Sequence, residues 1–176
     1  MPDTHSAPAA NRLLAALPRK DRERLMAGCE PVELVFAEVL AEQGGRMRHV
    51  YFPTESFISL VAPIDGRASL EVGLIGNEGM LGISLILGVE VSPLLAVVQG
   101  GGPAWRMDTE TFCHELARSS ELQRLLQRYL YVEIGQIAQT AACTRFHLLE
   151  ARLARWLLMT QDRAHSKTSW KTPRAK

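Results

Sequence analysis

The sequence predicts a mainly β fold, a sandwich, roll or barrel of short strands entered through short helices and left through a long one. Three observations predict it. Between Glu30 and Met107 the apolar or alternating runs VELVF, HVYFP, SFISLVAPI, ASLEVGLI, LLAVVQ and AWRM are short and closely spaced. Turn residues separate them at Gly44-Gly45, Pro53, Asp65-Gly66, Asn77 to Gly79 and Gly100 to Gly102. After Ser120 the texture changes to a helical period that runs with no proline as far as Cys143.

Taken in order, Asn11 is a side-chain cap for a short helix through Leu17, and Pro18 suits the first turn of a second that Gly28 stops. The strand region follows. Asp108 and Thr109 then cap a short helix carrying Phe112 and Leu116, and Ser119 or Ser120 caps the long one. That helix is apolar on more than one stripe: Leu122, Leu125, Tyr129 and Val132 repeat on one side, Leu126, Leu130, Ile137 and Ala141 on the next. One side has to meet something besides its own domain, and the same helix of a second subunit is the favoured partner. A break near Thr144 to His147 precedes a last helix with Leu148, Leu149, Leu153, Trp156, Leu157 and Leu158, ending near Asp162.

Composition narrows the function. The 176 residues carry 47% apolar and 22% charged side chains, an ordinary globular balance for one domain. Twenty basic residues against nineteen acidic ones leave a net charge of +1, which gives no chain-wide field for nucleic acid. Cys29, Cys113 and Cys143 are scattered, with no metal-ligand spacing, which suits a reducing cytoplasm. Met1 to Ala10 lacks the apolar core of a signal peptide, and Ile83 to Val98, broken by Gly88, Glu90 and Pro93, is too short for the about 20 apolar residues of a membrane span.

HVYFP at 49–53, GNEGMLG at 76–82, QTAAC at 139–143 and ARLARWLLM at 151–159, in that order, resemble the Crp/Fnr family of bacterial transcription regulators. The resemblance spans roughly Asn11 to Arg163. It implies a cyclic-nucleotide-binding-like β-roll or jelly roll (a double-stranded β-helix) at 11–118, a dimerisation helix at 119–145, and at 146–163 the helix that leads into a winged helix-turn-helix. Residues 1–10 and 164–176 are expected to be loose tails. The second, AHSKTSWKTPRAK, is basic and too short and irregular for a DNA-reading head, so sequence-specific DNA binding is not expected of this chain. The implied functional unit is a homodimer with Leu122, Leu126, Tyr129, Leu130 and Ile137 in the interface and a small-molecule effector in the roll.

Family members that bind cyclic nucleotide use a Gly-Glu turn, whose carboxylate takes the ribose, and a later arginine for the phosphate. By resemblance Gly76, Glu78, Gly79 and Met80 are the candidate ligand-binding residues. The cation half of the pattern is missing: no Lys, Arg or His stands between Arg67 and Arg106. An anion shielded from water needs a matched cation, so cyclic AMP is not the expected ligand. Glu78 is read first as a turn carboxylate capping a helix that begins near Met80. Met80, Ile83, Leu85, Leu87, Leu94 and Leu95 outline either filled core or an apolar cavity for an uncharged or weakly polar effector. Arg67, Arg106, Arg124 and Arg128 are the cations that could replace the missing one.

Two other classes stay in view. A cupin-like β-barrel enzyme needs clustered His and carboxylate ligands, whereas His5, His49, His114, His147 and His165 are dispersed; no catalytic residue, metal site, haem or iron–sulfur ligand set is identified. GGGPAW at 100–105 reads as a flexible hairpin connection. The remaining alternative is a module without a DNA head that acts by heterodimerising with a full-length relative.

Overall fold

The structure is a computed structural model that describes residues 11–64 and 68–163. The predicted tails, the Asp65-Gly66 turn, Arg67, His5 and His165 lie outside those residues. Helices α1 (Arg12–Ala15) and α2 (Arg19–Ala27) precede strands β1 (Glu30–Leu34), β2 (Val39–Ala41), β3 (His49–Pro53), β4 (Phe57–Ile64) and β5 (Ala68–Ile75). A 3₁₀ helix at Ile83–Leu87, strands β6 (Leu95–Gly100) and β7 (Gly102–Asp108), and helices α3 (Thr109–Arg118), α4 (Ser120–Phe146) and α5 (Leu149–Arg163) complete the order.

The strands form two antiparallel sheets, β1-β7-β3 and β2-β6-β4-β5. Their inner faces close on a core in which Val50, Phe52, Ile58, Leu74, Ala96 and Val98 are fully buried, with Met107 of β7 and Phe112 of α3 buried beside them. β2 has no counterpart among the sequence-read strands. It is three residues long and follows a tight turn in which Ala37 sits at φ 67°, so it has neither length nor alternation to announce it. The reading of Gly100 to Gly102 as a hairpin is corrected: β6 and β7 lie in different sheets, and the glycines carry the chain across. A Cβ at Gly100 would run into the Phe57 ring, and Gly102 takes φ 145°, so the crossing needs residues without side chains.

Asn11 shows how the first helix is tied down. Its Oδ1 accepts from the Leu14 amide at 3.0 Å, and its Nδ2 donates to the carbonyls of Pro53 and Gly79, both at 2.9 Å. One buried cap therefore joins α1 to the end of β3 and to the Gly-Glu turn.

At the other side Arg24 bonds Glu115 of α3 at 2.5 Å and Asp21 at 2.9 Å, while the Ser119 hydroxyl donates to Asp21 at 2.7 Å and accepts from the Leu122 amide at the start of α4. The Ser119 bond holds the Asp21 carboxyl below its ordinary range, and the Arg24 bond does the same for Glu115. A depressed folded-state value stabilises the fold above the unfolded carboxylate range near about pH 4, and that stability is lost as pH falls through the folded value. The melting temperature of the protein should therefore drop more steeply below about pH 4 than that of Arg24→Met, as thermal scans across about pH 2 to 6 would read.

The first half of α4 is spent on its own domain: Leu122, Leu126 and Tyr129 are buried. Beyond them Tyr131, Val132, Ile134 and Ile137 are exposed, at 79%, 51%, 57% and 38%. α5 turns back so that its Trp156 reaches β5, where the indole N–H donates to Glu71 at 2.8 Å.

Candidate functional site

The segment between β5 and the 3₁₀ helix holds the four sequence-predicted ligand residues. Gly76 to Gly79 makes a tight turn, with the Gly79 amide on the Gly76 carbonyl at 3.1 Å and the Gly76 amide on Glu78 Oε1 at 3.3 Å. The expected helix near Met80 does not begin there. Leu81 bridges to Tyr51, and the 3₁₀ helix starts only at Ile83, after Gly82 at φ 107°. Glu78 consequently caps no helix; its carboxylate closes its own turn and meets a cation.

That cation is Arg163, at 2.6 Å from Glu78 Oε1, and sequence reasoning did not single it out. Its side chain is 8% exposed, donates to the Met159 carbonyl at 3.0 Å and to Gln136 at 3.4 Å, and leaves its buried Nε without a hydrogen-bond partner. The cations that the sequence offered are elsewhere. Arg106 pairs with Glu30 at 2.7 Å on β1, Arg124 pairs with Glu121 at 3.2 Å, and Arg124 and Arg128 are exposed on α4. The spacing Trp156, Met159, Arg163 places these three on one side of α5, but nothing in it says that α5 folds back.

The glycines of the turn are packed from outside. A Cβ at Gly76 would come within 2.7 Å of both Arg163 and Glu78, and one at Gly79 would collide with the Tyr129 hydroxyl. Arg163 and Tyr129 therefore occupy the space over the turn.

Beside the turn, the roll and α4 line a half-open cavity of about 240 Å³. Leu60 of β4, Ile75 of β5, Met80 and Leu94 form its floor, and α4 contributes Leu130, Glu133, Ile134 and Ile137. Of the residues expected to outline a cavity, Met80, Ile83, Leu87 and Leu94 line it, whereas Leu85 is packed into the core. The sole ionisable side chain of the lining is Glu133, 5% exposed. Burial pushes its carboxyl up from the ordinary range, against a hydrogen bond from Tyr129; Glu78 adds to the rise and Arg163 opposes it. A second cavity, of about 260 Å³, lies between β5, α4 and α5 around Trp156.

Of the five residues assigned to a dimer interface, Leu122, Leu126 and Tyr129 face the chain's own core, Leu130 is half-buried at the cavity wall, and Ile137 is exposed. Among the described residues no group of three His, Cys, Asp or Glu is placed to hold a metal ion, and no helix is long and apolar enough to cross a membrane. Burial pushes the Cys29 thiol up to about 12, so it stays protonated at neutral pH.

No protein-family model matches the sequence, and no curated protein matches it significantly. Solved structures do match in shape. The c-di-GMP-responsive global regulator CLP of Xanthomonas campestris superposes with a TM-score of 0.66 at 15% identity, over 80% of this chain and 71% of that one. The sensor domain of the transcriptional regulator DNR of Pseudomonas aeruginosa gives 0.54 at 12% identity, over 69% and 91%. The regulatory subunit of a cAMP-independent protein kinase A of Trypanosoma brucei gives 0.58 at 15%, over 69% and 44%. At such identities the likeness is one of fold, and the chain accordingly has the cyclic-nucleotide-binding-like β-roll with a long C-terminal helix that its sequence predicts.

Proposed function

We propose that this chain is the effector-sensing and dimerising part of a Crp/Fnr-like bacterial transcription regulator, with the roll at 11–118 as sensor, α4 as the dimer helix and α5 as the output element. The observation that carries the reading is the half-open cavity lined jointly by roll and helix, because an effector held there touches the sensor and the dimer helix at once. The order HVYFP, GNEGMLG, QTAAC, ARLARWLLM supports the family, and the match to CLP over 80% of the chain supports a regulator rather than an isolated roll.

The effector is small and largely apolar, and it is not a cyclic nucleotide. A phosphate in the roll would find Arg163 already on Glu78 and a cavity lining whose one charge is the Glu133 carboxyl. Without its cation, a largely buried phosphate loses about 2 to 5 kcal/mol, or roughly 30- to several-thousand-fold in affinity. Calorimetry with cyclic AMP should detect no binding tighter than about 10 μM; a dissociation constant at or below that value would overturn the assignment.

A further inference from the structure

We propose that the cavity between the roll and α4 takes a small amine, its apolar body against Leu60, Ile75 and Leu94 and its ammonium group on the carboxylate of Glu133. This inference rests on the cavity being the effector site, as argued above, and adds the chemical class of the effector.

Size sets the first limit. An apolar cavity of about 150 Å³ accepts benzene, so one of about 240 Å³ accommodates a ligand of about ten non-hydrogen atoms. Charge sets the second. Glu133 is 5% exposed and has no Lys, Arg or His within ion-pair distance among the described residues. Its hydrogen-bond partner is the Tyr129 hydroxyl, which also leans on the Met80 carbonyl at 3.5 Å. The basic group that acts on it from further off, Arg163, is committed to Glu78 at 2.6 Å. Two carboxylates thus share one guanidinium, and a buried carboxylate without a matched cation is costly. The same deficit repels anions: a fatty acid or a phosphate would add a third negative charge to Glu78 and Glu133.

A neutral apolar molecule would fill the volume and leave the deficit unchanged. An ammonium group fills it and supplies the missing charge, with donors for Glu133 and for the second lone pair of the Met80 carbonyl. Burial disfavours the charged form of the Glu133 carboxyl, and a cation beside it offsets that penalty.

The test is titration calorimetry of the full chain with three probes of matched length, octylamine, octan-1-ol and octanoate. Octylamine should bind at least about tenfold more tightly than octanol, and octanoate should not bind measurably. Glu133→Gln, nearly isosteric, should bring octylamine to within about threefold of octanol by weakening octylamine. Octanol binding as tightly as octylamine, or octanoate binding best, overturns the amine assignment and leaves the cavity as effector site intact. Failure of all three probes to bind overturns both. The comparison of probes on the unsubstituted protein decides the matter even where the variant folds poorly.

Discussion

Val132→Glu will convert the protein from a dimer to a folded monomer of 19.5 kDa. The dimer itself is proposed on the unpaired stretch of α4, where Tyr131, Val132, Ile134 and Ile137 are 79%, 51%, 57% and 38% exposed while Leu122 and Leu126 are already used inside the chain. A two-fold contact along α4 would bring each position opposite its own copy or close to it, so one substitution enters the interface twice. Burying an unpaired carboxylate costs at least about 2 to 3 kcal/mol per copy. Two copies raise the dissociation constant by roughly a thousandfold or more. In the monomer the introduced carboxylate would face water, so circular dichroism should remain that of the parent. Leu126→Glu is the informative contrast. Leu126 is 0% exposed, and a carboxylate there should remove about 4 kcal/mol or more, enough to unfold a domain of ordinary stability. Light scattering at micromolar concentration reads both, and a parent protein that runs as a monomer at that concentration would sink the dimer reading.

Leu126 also marks where the sequence stops being informative. The period of α4 showed that the helix has two apolar sides, and both exist. Which side meets the roll depends on how the helix leaves α3, a matter of the Ser119 cap and the Arg24–Glu115–Asp21 cluster, and those contacts join residues about 90 positions apart. Periodicity is a local property and carries no such information. The strands were legible for the opposite reason. Alternation and turn residues are local, so β3, β4, β5, β6 and β7 fell where the apolar runs stand, and only the three-residue β2 escaped.

The candidate site divides in the same way. The turn Gly76 to Gly79 was legible because its residues are contiguous, although its need for glycine comes from packing, since a Cβ at Gly76 or Gly79 would meet Arg163 or Tyr129. Its partners were not. Arg163 lies 85 positions from Glu78, and Glu133, between Val132 and Ile134, reads from sequence alone as one more acid on the solvated side of a long helix. It is 5% exposed, hydrogen-bonded to Tyr129 and set in a cavity wall that the 3₁₀ segment shares, a packing consequence with no local signature.

Arg163→Ala should release α5 from the roll while leaving the sensor folded. α5 buries little apolar surface in return for docking: Leu149, Leu153, Leu157 and Leu158 are 72%, 52%, 52% and 61% exposed. What holds it are polar pins, Trp156 on Glu71 at 2.8 Å, Arg155 on Thr140 at 3.1 Å and Arg163 on Glu78 at 2.6 Å. Breaking a fully buried pair by removing one partner costs about 3 to 5 kcal/mol. Glu78 keeps 30% of its side chain exposed, so water can compensate part of the loss, and about 2 kcal/mol is the expected effect. That is enough to raise the undocked population of α5 about thirtyfold. Hydrogen exchange of α5 amides and tryptic cleavage at Arg152 and Arg155 should accelerate together, while amides of β3, β4 and β7 keep their protection. The double change Arg163→Met with Glu78→Gln removes both charges and should recover part of the protection that Arg163→Ala loses, because no uncompensated charge is left under the helix. Equal exchange in the parent and in Arg163→Ala would mean that α5 is held by its indole and its turn instead, and that the ion pair only fills the space over Gly76.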